Sequence, residues 1–508
     1  MLTVHARENL IMKKKELPRA VREQLTTRFT HYFFEERVCN ECEVKPSRLE
    51  SETKLTPECE ECAAFKGGSI LAQDVKIGTT SYFKTPAGAS RDLKKILDEN
   101  EVEFRVKSHR PDTPMKRPIK FTGKYRGQYQ ADAVQAILKK RRGVVAAPPR
   151  SGKTVISAAA ICKLGKKTLI MASQREWLLG FQETFIGSET QPALTTCRRS
   201  QIGFCKTYED FLKYDICLVT VQTFYKKPKL LRKIRDLFAA LFVDEVHTSA
   251  APEYARVINS LNCRYVVGLS GTPERKDGRD VIMRDLVGPN IFVAKVEQLR
   301  PRVMLTRTQY TKNTKGNQLW VRMVSSLEKD PQRLKLIAQT ALKDVKAGHM
   351  ILIPFAQVTP IKALVMAINK MAGKTLAQPF FGGLKKVDRD RFIQGARNYK
   401  VKILVGNIKL LSTGTNIPRA SALYEVTMSS NLPNAQQRFA RILTPYKDKP
   451  QPIIRIFADD SDVRRRCLQM EFWKCLKPKF NPIISDKDMQ LLKDYLSGKD
   501  KRKGPIHL

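Results

Sequence analysis

The stretch AAPPRSGKT, residues 146–154, decides how the rest of this chain is read. A phosphate-binding loop runs Gly, four residues, then Gly-Lys-Ser/Thr. Here Gly152, Lys153 and Thr154 fill the second half, Ala147 replaces the first glycine, and Pro148, Pro149 and Arg150 occupy the turn. The chemistry needs less glycine than the pattern suggests. It needs successive backbone N–H groups that converge on a phosphate at a helix start, where the dipole favours an anion. A side chain at Gly152 would block the phosphate's approach, Lys153 would neutralise its charge, Arg150 and Ser151 complete the loop, and the Thr154 hydroxyl would hold Mg²⁺. The flanks fit: RRGVVAAPP reads as a short apolar strand, and TVISAAAICKLG as a helix stopped at Gly165. Gly-Lys-Thr alone occurs often in ordinary turns, so the weight rests on this strand–loop–helix context.

At 508 residues the chain should hold three or four domains, and its 42% apolar content is ample for their cores. No stretch approaches the ~18 apolar residues of a membrane span, and MLTVHARENLIMKKKELPRA lacks the apolar region of a signal peptide. A cytoplasmic location and no membrane partner are expected. The formal charge of +42 predicts a polyanion partner, nucleic acid.

Four of the eleven cysteines stand as Cys39-x-x-Cys42 and Cys59-x-x-Cys62, while the others are scattered singly. Two C-x-x-C turns each aim two thiolates at one point, which predicts a structural Zn²⁺ site with no open position; disulfides are the alternative. The intervening EVKPSRLESETKLTPE is too polar to fold around its own core, so metal binding would supply its stability. Nearby Lys13, Lys14, Lys15, Arg19, Arg22 and Arg28 suggest that this module helps hold DNA; a folding staple is the plainer reading.

From residue 143 onward, β-rich runs alternate with helical stretches: GVVAAP, TLIMAS, ICLVTVQTF, ALFVDE, YVVGLSG and NIFVAKV, then MILIPF, KILVGN, ALYEVTM and IIRIFAD. Such alternation argues an α/β protein with two open, mostly parallel sheets, which bind ligands at the carboxyl ends of their strands. The expected division is 1–76 (basic, zinc-binding), 77–122 (a small α+β accessory domain for DNA), 123–300, 301–470, and a basic tail 471–508. In LFVDEVH an apolar strand delivers Asp244 and Glu245 to its end. Asp244 would hold Mg²⁺ through water and Glu245 would polarise the water that attacks the γ-phosphate of ATP. A solvated pair of loop acids is the bland alternative.

Together with Asp244-Glu245-Val246-His247, the run LSGTPER (Ser270, Gly271, Thr272) resembles the superfamily-two helicases of the DExH-box type. YRGQYQADAV looks like the adenine-side motif with Gln130; LIMASQREWLLGFQETF and LVTVQTF resemble DNA-side motifs; ILVGNIKLLSTGTNIP, with Gly414, is similar to motif V, and QQRFARILTP to motif VI. The likeness covers about residues 77–460 and is nearest to the duplex-DNA enzymes of the XPB and phage UvsW kind, which makes a viral origin plausible. It implies two tandem RecA-like (P-loop NTPase) domains with ATP in their cleft, Gln130, Gly414 and Arg438 at the nucleotide, and DNA crossing both domains. In motif VI, Arg441 stands where the first arginine belongs and Thr444 where the last one does; Arg438 and Lys447 are the candidates to replace it. The implied activity is an ATP-dependent DNA helicase or translocase for branched or duplex DNA in replication, recombination or repair. An RNA helicase, and a zinc-dependent annealing protein with a weak motor, are the alternatives.

Overall fold

A computed structural model describes residues 1–34, 65–148, 151–188, 191–246, 252–271, 280–296, 298–308, 310, 320–413, 417–427 and 432–498. The chain forms two compact units, residues 1–296 and 297–508.

The first unit opens with β1 (Leu2–Ala6), β2 (Asn9–Lys13), β3 (Thr30–Phe34), β4 (Phe65–Ile70), β5 (Gln73–Ile77), β6 (Thr80–Pro86) and β7 (Phe104–Ser108). In β1 the alternation buries Leu2, Val4 and Ala6 on one face, as a strand with period two requires. Five of these strands make a sheet in the order β5-β6-β2-β1-β7, with β1 and β7 parallel. Helices Arg19–Arg28 and Ser90–Glu99 cover it, through Val21, Leu25, Leu93 and Leu97. This corrects the expected boundary at 76/77. Residues on both sides of it share one sheet and one core, because β1 finds its partner about a hundred residues away in β7. It also corrects the basic arm: Arg28 is an internal ion-pair partner of Asp92 and Asp285, and Lys14 pairs with Asp74.

The same unit continues with a seven-stranded, wholly parallel sheet. Its strands are β8 (Arg142–Ala146), β9 (Thr168–Ala172), β10 (Ile202–Phe204), β11 (Ile216–Thr220), β12 (Ala240–Val243), β13 (Tyr265–Ser270) and β14 (Asn290–Val293), ordered β10-β11-β9-β12-β13-β8-β14. Helices cover both faces, so β9 and β12 are buried along their whole length and read as unbroken apolar runs.

The second unit repeats the plan with six parallel strands: β15 (Arg302–Arg307), β16 (Ile351–Phe355), β17 (Ala377–Phe380), β18 (Ile403–Asn407), β19 (Ala422–Glu425) and β20 (Ile453–Ala458), ordered β15-β20-β19-β16-β18-β17. Residues 471–496 belong to this unit and are not a tail: Phe472, Cys475, Leu476, Phe480, Leu492 and Tyr495 lie in its core. Among the described residues no helix is long and apolar enough to cross a membrane.

Candidate nucleotide site

β12, β13 and β8 are neighbours, so their carboxyl ends bring three separated sequence motifs to one sheet edge. Past the strand ends the pairing continues: Ala147 donates its N–H to the Ser270 carbonyl at 2.9 Å, and Asp244 donates to the Met171 carbonyl at 2.9 Å. After β8 the chain turns, with the Ser151 N–H on the Pro148 carbonyl at 3.1 Å. Helix Lys153–Leu164 then starts and ends at Gly165, as its sequence predicts.

Gly152 caps that helix with φ 83°, in the left-handed region. A Cβ here would overlap the amide nitrogen of Gln130. The expected reason for glycine was access for a phosphate; the geometry supplies a second one, a buried amide packed beneath the loop. The Gln130 carboxamide accepts from the Arg126 N–H at 2.8 Å and donates to the Ser151 carbonyl at 2.8 Å, while the Tyr129 hydroxyl donates to that same carbonyl at 2.8 Å. Gln130 is thus a strut beneath the loop. Tyr129 was not singled out from the sequence, although it lies within the run that marks Gln130.

Lys153 Nζ lies 3.0 Å from Glu245 Oε1, with both side chains largely buried. Glu245 has φ 46°, a left-handed conformation that non-glycine residues adopt at a cost of order 1–3 kcal/mol and that concentrates at functional sites. Thr154 and Asp244 are half-buried at the same edge. A glycine-opened helix start, a lysine and two carboxylates suit a nucleotide phosphate with its Mg²⁺, Thr154 and Asp244 being the oxygen donors such an ion prefers. Arg150, His247, Thr272 and Gly414 lie outside the described residues.

In the second unit, helix Leu432–Ala440 carries the motif VI residues. Arg441 follows it, half-buried, its N–H on the Arg438 carbonyl at 3.0 Å. Arg438 corrects its expected role. Its guanidinium is fully buried, held by both Glu425 oxygens at 3.2 and 3.1 Å and by Glu471 at 2.9 Å, so it packs as a core residue. Burial alone would lower its pKa, but the two carboxylates outweigh that and raise it, so it stays charged. Two further buried arginines, both on helices, escaped the sequence reading. Arg333 holds Asp459 at 2.7 and 3.1 Å and the Val426 carbonyl at 2.5 Å; Arg464 donates to the carbonyls of Thr427 and Glu425. Together they fix the backbone at the carboxyl end of β19. Nothing in the spacing marks them, since a helical arginine ordinarily faces solvent.

Cys39, Cys42, Cys59 and Cys62 lie outside the described residues. Among the described residues no group of three or more His, Cys, Asp and Glu could hold a metal ion. The strands that bracket these cysteines, β3 and β4, pair antiparallel with Phe34 opposite Phe65.

Residues 125–275 match the family model of the type III restriction enzyme res subunit. The chain is 24% identical over 327 residues to a probable helicase D10 of Escherichia phage T5, covering 61% of this chain and 66% of that protein. It is 28% identical over 238 residues to the DNA 3'-5' translocase XPB2 of Sulfurisphaera tokodaii, covering 46% and 49%. The chain therefore spans less than two thirds of the length of these curated relatives. A fragment of a putative HsdR subunit of a type I restriction enzyme from Vibrio vulnificus YJ016 shares the fold, with TM-score 0.50 and 16% identity over 72% of this chain and 69% of that one. The two units are tandem RecA-like α/β domains.

Proposed function

We propose that this chain is an ATP-dependent DNA helicase or translocase acting on duplex or branched DNA. One observation carries the reading most: the loop lysine, Lys153, meets the strand-end acid, Glu245, at 3.0 Å on the carboxyl edge of the parallel sheet, where β8 and β12 flank β13. A chance Gly-Lys-Thr turn would have no reason to stand there. In this reading Gly152, Ser151 and Lys153 receive the phosphates, Thr154 and Asp244 hold Mg²⁺, and Glu245 orients and deprotonates the attacking water. Bound Mg²⁺ would draw charge from the phosphate oxygens. Arg441 stabilises charge on the transferring phosphoryl group, a role worth about 10³–10⁵ in rate among NTPases. DNA as the polymer is supported by the names of the phage and archaeal relatives and by the +42 charge. The DExH assignment rests on Asp244-Glu245-Val246-His247.

A zinc site built from the four paired cysteines belongs to the same proposal. The β3–β4 ladder ties residue 34 to residue 65, so Cys39 and Cys62 leave neighbouring strands five and three residues from the ladder's end. At about 3.5 Å per residue both C-x-x-C turns are within reach of one ion.

ATP turnover by the full chain, measured with duplex DNA, forked DNA and RNA, tests the reading. DNA-stimulated turnover is expected, abolished in Lys153→Ala; Glu245→Gln should keep nucleotide affinity and lose hydrolysis. Stimulation by RNA alone would replace DNA with RNA in the reading, and a Glu245→Gln protein that unwinds a fork at the wild-type rate would remove the catalytic assignment.

A further inference from the structure

A strongly basic cavity of the first unit lies away from the nucleotide site, at the opposite edge of the same sheet. It measures about 240 Å³ and is lined by Arg91, Arg110, Lys140, Arg141, Arg142 and Arg264, and by no described Asp or Glu. Arg264 immediately precedes β13, Arg142 opens β8, and Pro289, also on the wall, precedes β14. These three strands are adjacent and parallel, so the cavity lies under their amino ends, whereas ligands of such sheets ordinarily gather at the carboxyl ends. The facing wall comes from the amino-terminal sheet: Ser108 ends β7, and Gly88, Ser90 and Arg91 mark the start of helix Ser90–Glu99. That helix directs the positive end of its dipole to the same side.

Six cations around one cavity repel one another, and the protein does little to neutralise them. The acids of neighbouring segments are engaged: Asp112 pairs with Lys166 at 2.8 Å and Arg264 at 3.5 Å, Glu8 with Arg235 at 2.5 Å, and Asp92 with Arg28. Arg142 reaches the carbonyls of Cys263 and Leu286, and Arg110 that of Arg7, yet the buried Nε of Arg142 and Nη2 of Arg110 have no hydrogen-bond partner. An unmatched buried N–H on a cation is costly, and each wants an acceptor. Burial and, after it, the charge of Arg110 push the Arg142 guanidinium down to about 9.

We infer that this cavity is a phosphate-binding site that holds a backbone phosphate of a nucleic acid running over the junction of the amino-terminal sheet and the first parallel sheet. Its forked arginines and serine hydroxyls suit phosphate oxygens and carry no base information. The inference rests on binding alone and does not require the motor assignment.

The test is the affinity of the full chain for a labelled DNA duplex across a salt series, for wild type, for Arg91→Gln/Arg141→Gln, and for a charge-matched control, Lys94→Gln/Lys95→Gln. Both exchanged arginines are exposed, as are both control lysines, and the control pair already bonds Asp98 and Glu99. Each lost phosphate contact lowers the slope of log affinity against log salt by about 0.9. The arginine variant, which loosens the one phosphate held there, is expected to lower it by about 0.9 and the control to leave it unchanged. Equal slopes in all three proteins, or an equal fall in variant and control, would overturn the inference. So would an unchanged slope alongside loss, in the variant only, of thermal stabilisation by inorganic phosphate, which would assign the cavity to a free anion. A wild-type protein that binds duplex but lacks DNA-stimulated ATP turnover would count against the motor and not against the cavity.

Discussion

Gly152 is constrained from two sides: its φ of 83° disfavours any L side chain, and the Gln130 amide occupies the space that a Cβ would take. The left-handed conformation alone costs about 1–2 kcal/mol for a residue with a Cβ. Gly152→Ala should therefore destabilise the first unit, and part of that loss should vanish when Gln130→Ala is already present. A denaturation double-mutant cycle should give a coupling of roughly 0.5–3 kcal/mol; strict additivity would mean that Gln130 does not brace the loop. In the second unit, two arginines three residues apart are expected to have opposite roles. Arg438→Ala leaves Glu425 and Glu471 buried without a cation, at a cost of about 3–5 kcal/mol. Arg441→Ala should leave the melting temperature in place and remove DNA-stimulated hydrolysis. Melting and steady-state ATPase on both variants decide it, and a stable but inactive Arg438→Ala protein would reverse the assignment.

Between elements, the Arg438 cluster joins β19, helix Leu432–Ala440 and helix Asp462–Glu471. One guanidinium serves two carboxylates. Glu425 takes two of its bonds and Glu471 one, so Glu471 is the acid that gives way. Burial, helped by the Glu425 charge and opposed by Arg438, pushes it up to about 7. Because its folded pKa lies above the ordinary glutamate value of 4.5, the native state holds this proton more tightly than the unfolded chain. The resulting stability is complete below that ordinary value and is lost as pH rises through about 7. The gap in stability between wild type and Glu471→Gln should thus shift by on the order of 1–3 kcal/mol between pH 4.5 and 7.5, in favour of the variant at the upper end. Thermal melts of the two proteins across that range would show it; a constant gap would mean that Glu471 is ionised throughout. The Val426, Thr427 and Glu425 carbonyls, held by Arg333 and Arg464, sit in the same corner, so the approach to motif VI is anchored from below by buried cations.

At the scale of the whole chain, the amino-terminal strands are part of the first unit rather than a detachable arm. A chain starting at residue 77 would lack β1, β2 and β5, and with them the buried faces of Leu2, Val4, Leu10 and Met12. It should aggregate or fail to fold. Replacing residues 35–64 with a short turn should instead leave the fold intact, because the β3–β4 ladder already joins the two ends. Metal analysis is expected to return one zinc per full chain and none for the shortened one; zinc retained after that replacement would rule out the four paired cysteines as its ligands.

What the sequence determined by itself is local. The loop Ala146–Thr154, the helix stop at Gly165, the strand delivering Asp244 and Glu245, and the alternation that makes two parallel sheets all depend on neighbours within a few residues, where pattern and chemistry coincide. Tertiary structure alone decided the rest. Arg438 and Arg441 look alike in sequence, but one meets carboxylates from 13 residues before it and 33 after it, distances that no periodicity spans. The amino-terminal sheet closes through a pairing of β1 with β7, which no local preference specifies. The basic cavity gathers cations from four separate segments, each of which alone reads as an ordinary solvated charge; only their convergence leaves buried donors unmatched and so points to an anion.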